Sequence, residues 1–280
     1  MRKSAVLEAV EGLVGSEDLS KALKGVDIIG RIAVIKIPRE WQAIRHQVGE
    51  RILAKLGVDS VYMQTAPSRQ GDRVRGLDWL AGKRSTETVY SEHGCKFFVD
   101  IGKVYFSPRL SNERRRVADL VAHGETVVNM FAGVGTFSII IAKSKGAKVF
   151  SIDNNPNAFE LMIENVSQNR LNGKVIPILA DAREAAAELE RSADRVLMPL
   201  PELAEAYLGE AVRMLRGKGW IHVYTHERGN NKTEAVDRAK TKILESAEMS
   251  AEMIRCEGKV VRSIGRRNYQ VVLDMQVIPH

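Results

Sequence analysis

Apolar positions recur along this chain with two periods, and the pattern changes near residue 107. Downstream, short runs rich in β-branched residues occupy 127–131, 148–152, 175–179, 195–198 and 220–224. Between them, apolar residues return at helical spacing over 136–144, 156–169 and 202–215. A further helix, capped by Ser111 or Asn112, is predicted to run to about Ala122. Strand and helix alternating at this spacing predict a mostly parallel sheet covered on both faces. The tail departs from it: 259–264 and 269–277 read as an antiparallel pair around Gly265-Arg266-Arg267-Asn268.

Upstream of 107 the pattern is mixed. Residues 26–37 are rich in Ile and Val and read as a strand or bent hairpin closed by Pro38. Apolar positions Trp41, Ile44, Val48, Ile52, Leu53 and Leu56 predict one helix over 40–56 with Gly57 as its stop. A polar loop is expected over 65–76, then strands at 87–91, 95–100 and 103–106, the first two joined by a turn at His93-Gly94. The expectation is a small N-terminal α/β domain over 1–106 and a Rossmann-type α/β domain over 107–280.

Composition and charge narrow the function classes. At 44% hydrophobic and 28% charged the chain is an ordinary globular one, with no apolar run near the roughly 20 residues that cross a bilayer. Its first residues lack the apolar segment of a secretory signal, so a cytoplasmic protein is expected. Two cysteines, Cys95 and Cys256, make neither a disulfide framework nor a zinc site, and both are expected as buried thiols. No metal is expected, because His222 and His226 lack a third ligand; His222 reads as core and His226 as loop. Trp41, Trp79 and Trp220 read as core. The net charge is +7, and the excess gathers at 69–84, 109–116 and 259–267, which points either to a polyanionic partner such as nucleic acid or to a solvated face.

The densest chemistry lies in Asn129-Met-Phe-Ala-Gly-Val-Gly-Thr-Phe-Ser138, between a predicted strand and a predicted helix. Gly133 and Gly135 allow a tight turn and close approach of a ligand to the free N–H groups of the helix start. Asp153, 18 residues after Gly135 and at the end of the next strand, is placed to accept both hydroxyls of a ribose. Asp181, after the third strand, could meet an adenine amino group. The third glycine of the dinucleotide fingerprint is replaced by Ser138, which disfavours a nicotinamide cofactor and favours S-adenosylmethionine (SAM).

Two windows carry a family resemblance: Tyr105-Phe-Ser-Pro-Arg-Leu-Ser-Asn-Glu-Arg-Arg-Arg116 and Asn129-Met-Phe-Ala-Gly-Val-Gly135. With Ser151-Ile-Asp-Asn-Asn-Pro156, Ile176-Pro-Ile-Leu-Ala-Asp181 and Val261-Arg-Ser-Ile-Gly-Arg-Arg-Asn-Tyr269, the chain resembles the archaeal and eukaryotic tRNA guanine-37 N1-methyltransferases from about Asp72 onward. The related wybutosine-pathway aminocarboxypropyl transferase shares the fold. The resemblance implies a class I SAM methyltransferase domain and tRNA as partner with guanosine 37 as target; a monomer is expected. The region up to about residue 60 resembles the family's middle domain, and the extra domain that reads the tRNA elbow in some members is not expected.

By the same resemblance Glu113 is the general base that removes the N1 proton of guanine, although by its position alone it would read as a first-turn acid favoured by the helix dipole. Arg73 or Arg75 steadies guanine O6. Asn129, Phe131, Ala132, Gly133 and Gly135 surround SAM, together with Asp153, Asn154, Asp181 and Pro199. Arg109, Arg114, Arg116, Arg262, Arg266 and Arg267 are candidates for RNA contact. The target guanosine is expected to flip in among Arg73 or Arg75, Glu113 and the turn at 198–202.

Two positions depart from the family pattern. Pro199 stands where the family has an asparagine that holds the flipped base, and Asn129 stands where an aspartate is usual. The rival readings are aminocarboxypropyl transfer from SAM to a wybutosine precursor, and an RNA-binding protein that keeps a SAM pocket without catalysis.

Overall fold

The computed structural model describes residues 5–13, 26–66, 74–246 and 250–280. The chain divides into two units, Met1–Ser111 and Asn112–His280.

In the first unit, helix α1 (Ala5–Val10) and helix α2 (Arg45–Leu56) accompany a sheet of β1 (Asp27–Ile29), β2 (Ile32–Ile35), β3 (Ser60–Ala66) and β4 (Gly76–Gly82) in that spatial order. Strands β2 and β3 run parallel, so the chain between them must cross over, and α2 is that crossover. Gly57 ends α2 in a left-handed conformation at φ 62°, its N–H returning to the Leu53 carbonyl. Trp41, Val48, Ile52, Val61 and Leu80 fill the core. A separate hairpin, β5 (Glu87–Glu92) and β6 (Cys95–Asp100), turns at His93-Gly94 as expected.

Several local expectations needed correction. The helix expected over 40–56 begins as a 3-10 turn, Arg39–Ile44, and becomes α-helical only from Arg45. Residues 103–106 form a turn and extended chain rather than a strand. Strands β3 and β4 enter the segment read as a loop at both ends. Trp79 and Trp220 are half-buried rather than core: Arg84 lies 4.6 Å over the Trp79 ring, and Trp220 faces Arg195 at 5.7 Å. Cys256 is likewise only partly buried.

The second unit is a seven-stranded sheet. After α3 (Ser111–Leu120) come β7 (Thr126–Asn129), α4 (Thr136–Lys145), β8 (Lys148–Asp153), α5 (Pro156–Gln168) and β9 (Lys174–Leu179). They are followed by α6 (Ala182–Glu188), β10 (Ala193–Met198), α7 (Leu208–Met214), β11 (Leu215–Arg228), α8 (Lys232–Leu244), β12 (Ala251–Gly265) and β13 (Asn268–Pro279). The spatial order is β12-β13-β11-β10-β7-β8-β9. Five strands are parallel, and β13 inserts antiparallel between β11 and β12. The order reverses between β7 and β10, and the carboxyl ends of strands flanking such a switch are where open α/β sheets bind ligands. Val128, Ile152, Val196, Ile221, Val223 and Leu273 form its core.

Here the expected strands are all present, but β11 runs over Leu215–Arg228 and β12 over Ala251–Gly265, far beyond the expected 220–224 and 259–264, while the helix expected over 202–215 is shorter. Pro201 opens a 3-10 turn, and α-helix resumes only at Leu208. His226 belongs to β11 and not to a loop.

Candidate active site

The turn between β7 and α4 lies at the carboxyl end of the parallel strands of the second unit. Gly133 and Gly135 have φ of 55° and 85°, a region that costs other L-residues about 1 kcal/mol. A Cβ on Gly135 would also lie 3.0 Å from Met162 Cγ. The Gly133 N–H donates to Asp153 Oδ2 at 2.6 Å, and the Asn155 N–H donates to Asp153 Oδ1 at 3.0 Å. Each Asp153 oxygen therefore accepts one backbone bond and keeps a lone pair directed elsewhere. Burial pushes this carboxyl above its ordinary pKa, and the two backbone donors work against that.

Two buried polar residues on either side of the turn, Asn129 and Ser138, are partners. Asn129, fully buried at the end of β7, donates through Nδ2 to Ser138 Oγ at 3.2 Å. Its Oδ1 is buried without a hydrogen-bond partner among the described residues. Asp181 caps α6 by accepting from the Arg183 N–H at 2.8 Å, and it also accepts the Tyr207 hydroxyl at 2.9 Å. The Tyr207 ring meets Phe131 edge to face at 5.4 Å, while Arg183 stacks on it at 4.5 Å. Tyr207 was not legible as a site residue. Ala132 donates to the Ile152 carbonyl at 2.8 Å, Asn154 is exposed, and Pro199 is half-buried just past β10.

Glu113, 6% exposed in the first turn of α3, is held by three hydrogen bonds from two residues. Its Oε1 accepts the Tyr224 hydroxyl at 2.6 Å and Arg116 Nη2 at 2.8 Å, and its Oε2 accepts Arg116 Nε at 2.8 Å. The other edge of the same guanidinium grips Asp274, through Nη1 at 2.6 Å and Nη2 at 3.1 Å. Asp274 Oδ1 meets His222 Nδ1 at 2.5 Å, and His222 Nε2 meets Arg195 Nη1 at 2.7 Å. Arg195 then donates to both oxygens of Glu125, at 2.7 and 3.1 Å. An arginine can only donate, so His222 Nε2 is an acceptor and the proton sits on Nδ1, pointing at Asp274.

The electrostatics agree with that assignment. Burial holds His222 below its ordinary pKa, with Asp274 opposing and the Arg195 and Arg116 charges reinforcing. Burial would raise Asp274, but donation from His222 and Arg116 holds it well below the carboxylate range. Arg116 stays charged because the two carboxylates outweigh its burial.

The remaining candidates separate. Arg73 lies outside the described residues. In the first unit Arg75 Nη1 and Arg109 Nε both bind Asp27, at 2.9 and 2.6 Å, and Arg75 Nη2 reaches the Phe106 carbonyl. Arg114 is 2% exposed and Arg116 is turned onto two carboxylates, so neither presents its guanidinium outward as expected; the exposed member of the run is Arg115. Arg266 and Arg267 occupy the exposed tip of the β12–β13 hairpin, and Arg262 is half-buried against Gln270 at 2.7 Å. Among the described residues no cluster suits a metal ion, and no helix is long and apolar enough to cross a membrane.

Tested against SAM, this donor set fits. Asp153 offers two acceptors for a ribose diol, Asp181 and the rings of Phe131 and Tyr207 offer an adenine edge and faces, and the unpaired Asn129 Oδ1 offers an acceptor for an ammonium. Counted within the unit, the strand order reads 3-2-1-4-5-7-6. A glycine turn after strand 1 and an acid ending strand 2 complete the nucleotide-binding fold of the SAM-dependent methyltransferases.

Comparison with known proteins narrows the class. The TRM5/TYW2 methyltransferase domain matches residues 88–254, and the TYW2 N-terminal domain matches residues 6–86. The chain belongs to the TRM5/TYW2 methyltransferase family. It is 39% identical over 254 residues to tRNA (guanine(37)-N(1))-methyltransferase Trm5b of Pyrococcus abyssi, covering 90% of this chain and 74% of the relative. It is 36% identical over 263 residues to tRNA 4-demethylwyosine(37)-methyltransferase Taw21 of Saccharolobus solfataricus, covering 93% of this chain and 96% of the relative. Among solved structures, aTrm5 in complex with tRNALeu superimposes with a TM-score of 0.83 at 33% identity, covering 99% of this chain and 79% of that one.

Proposed function

We propose that this protein methylates N1 of guanosine 37 in tRNA, using SAM, with Glu113 as general base. The observation that carries this reading is the Glu113 carboxylate: it is fixed by Arg116 and Tyr224, yet among the described residues Oε2 accepts one bond and so keeps a lone pair to take a proton. N1 of guanine bears a hydrogen in its neutral form, and only its removal exposes the lone pair as a nucleophile. SAM, when bound, supplies the electrophilic methyl group. Asp153, Asp181, Phe131 and Asn129 hold and orient it, and the Gly133–Gly135 turn lets the backbone come close.

The O6 role falls to Arg73 first, since Arg75 has both terminal nitrogens engaged with Asp27 and Phe106. Arg109 and the hairpin arginines Arg262, Arg266 and Arg267 serve RNA phosphates, and the first unit positions the tRNA for catalysis by the second. Pro199 offers no side-chain donor, so a base contact made by asparagine elsewhere in the family is absent at this position.

That absence, with near end-to-end correspondence to Taw21, supports a second reading: methylation of a tricyclic guanosine derivative at the same nucleotide. Incubation with SAM and unmodified tRNA transcripts, followed by mass spectrometry of nucleosides and by-product, separates the readings. N1-methylguanosine with S-adenosylhomocysteine is expected. A product only when a tricyclic precursor is supplied would favour the second reading, and methylthioadenosine would indicate aminocarboxypropyl transfer. No transfer to any tRNA would leave a binding protein.

A further inference from the structure

The buried strip behind Glu113 is longer than holding one carboxylate requires. It crosses three strands. Arg195 lies on β10, His222 on β11 and Asp274 on β13, and the β11–β13 register sets His222 directly opposite Asp274. It also touches α3 twice: through Arg116, three residues after Glu113, and through Arg195 Nη2, which donates to the Leu120 carbonyl at the helix end, 2.9 Å away.

Donor accounting shows what the arrangement does. The two Nη2 hydrogens of Arg116 are divided, one to Glu113 Oε1 and one to Asp274 Oδ1. Nε serves Glu113 and Nη1 serves Asp274, so both edges of one rigid plane are filled. Turning that plane would break bonds to both carboxylates. Asp274 is itself fixed by His222, whose tautomer is set by Arg195. Tyr224, opposite Val272 in the same register, adds a second clamp on Oε1 from the sheet. The open lone pair of Oε2 is thus aimed by Arg116 and Tyr224, the first of them anchored in turn by Asp274.

We propose that Asp274 is a positioning residue for the base: through the Arg116 guanidinium it fixes the plane of the Glu113 carboxylate. His222 holds Asp274 in register and Tyr224 completes the clamp. This rests on the reading of Glu113 as the base.

Single-turnover methyl transfer at saturating SAM and tRNA tests it in the full-length protein, with Asp274→Asn, Glu113→Gln and the double variant compared. An asparagine has one oxygen to accept with and an NH2 in place of the other, so the Arg116 plane loses one anchor. The transfer rate of Asp274→Asn should fall about a hundredfold, the scale of a misplacement near 1 Å, with SAM affinity and the KM for tRNA unchanged. In the Glu113→Gln background the Asp274→Asn change should have no further effect, because its route is already cut.

Full additivity of the two changes would overturn the proposal. So would a single-variant rate within threefold of wild type, or a raised KM with an intact rate. Should Glu113→Gln itself keep its rate, the base reading fails and takes this one with it. A slow Glu113→Gln beside a normal Asp274→Asn removes only the positioning role. If Asp274→Asn does not fold, Tyr224→Phe keeps the volume and removes one clamp: a rate loss of about tenfold, again absent in the Glu113→Gln background, is expected. An unchanged rate there would refute the clamp.

Discussion

Replacing Asp153 by asparagine is the sharpest available probe of the nucleotide side. The carboxylate accepts the Gly133 N–H at 2.6 Å and the Asn155 N–H at 3.0 Å, one on each oxygen. An asparagine must present its NH2 to one of these donors. That backbone N–H then loses its acceptor, and the same amide end cannot accept from a ribose hydroxyl. The other oxygen still accepts, but without charge. Hydrogen bonds to ionised groups are worth about 1.5–3 kcal/mol each. Losing one bond and weakening another amounts to about 2–4 kcal/mol, or a rise of roughly 30-fold to 1000-fold in the Kd for SAM. Asp153 is buried enough to have its pKa raised, and removing its charge recovers some desolvation, which favours the lower half of that range.

Calorimetric titration with SAM and with S-adenosylhomocysteine measures the change. An analogue lacking both ribose hydroxyls should bind wild type and Asp153→Asn with similar affinity. The sign with pH follows from the raised pKa: wild-type binding weakens as pH falls into the range above the ordinary carboxylate value, where Asp153 takes up its proton, and the variant shows no such limb. A Kd for SAM within threefold of wild type would refute the ribose assignment. An equal loss for the analogue would show that the asparagine collapses the Gly133 turn instead.

Three further expectations follow from other parts of the molecule. Glu113→Gln should lower methyl transfer by about 10²–10⁴, the usual weight of a general base, while calorimetry finds SAM affinity nearly unchanged; equal loss of both would mark Glu113 as structural. His222 is buried neutral with its folded pKa lowered, so the unfolded chain binds its proton first as pH falls below about 6.5. Melting temperature should therefore decline from pH 7 towards 5, and His222→Gln should flatten that slope; the depressed Asp274 contributes stability above about pH 4 that is lost only below it. Arg266→Ala with Arg267→Ala at the hairpin tip should weaken tRNA binding several-fold and reduce its salt slope by about one for each phosphate left without its arginine, with the single-turnover rate unchanged at saturation; an unaltered salt slope would remove the tip from the RNA surface.

What could be read from the sequence was what is local. The runs that became β7 to β11 each carry a short, mostly apolar, β-branched stretch with helical segments between them, and such runs announce themselves without an alignment. Asp153 and Asp181 were visible because one directly follows such a run and the other comes two residues after one. Elements whose signals are split were missed. Helix α8 is capped by Asn231, which accepts from the Glu234 N–H at 2.9 Å while Glu234 accepts from the N–H of the preceding Asn230, a variant of the capping box that a search for Asn-x-x-Glu would have flagged. Strands β3 and β4 were obscured because each extends into a polar stretch. The inward turn of Arg114 and Arg116 was hidden for another reason. Helical spacing forbids all three arginines of the run from facing one way, but which of them turns inward is decided for Arg116 by Glu113 and Asp274, the latter distant in sequence.

The supporting strip shows where sequence reading stops. Arg116 and Asp274 are 158 residues apart, and their meeting depends on β13 lying between β11 and β12 in one register. A slip of one residue would carry Asp274 to the opposite face of the sheet. There was nonetheless a signal: Asp274 interrupts Val271, Val272, Leu273, Met275 and Val277, and His222 and Arg195 interrupt their own apolar strands in the same way. A charged residue inside a run that is otherwise fully buried needs a partner, and three such residues on neighbouring strands supply partners for one another. Energetically the strip is a poor way to gain stability. Three carboxylates, two guanidiniums and a neutral imidazole are wholly or partly withdrawn from water, and apolar residues of the same shape often do as well or better. What apolar packing cannot do is hold a carboxylate in a chosen plane with one lone pair left open, which is the condition a general base at Glu113 has to meet.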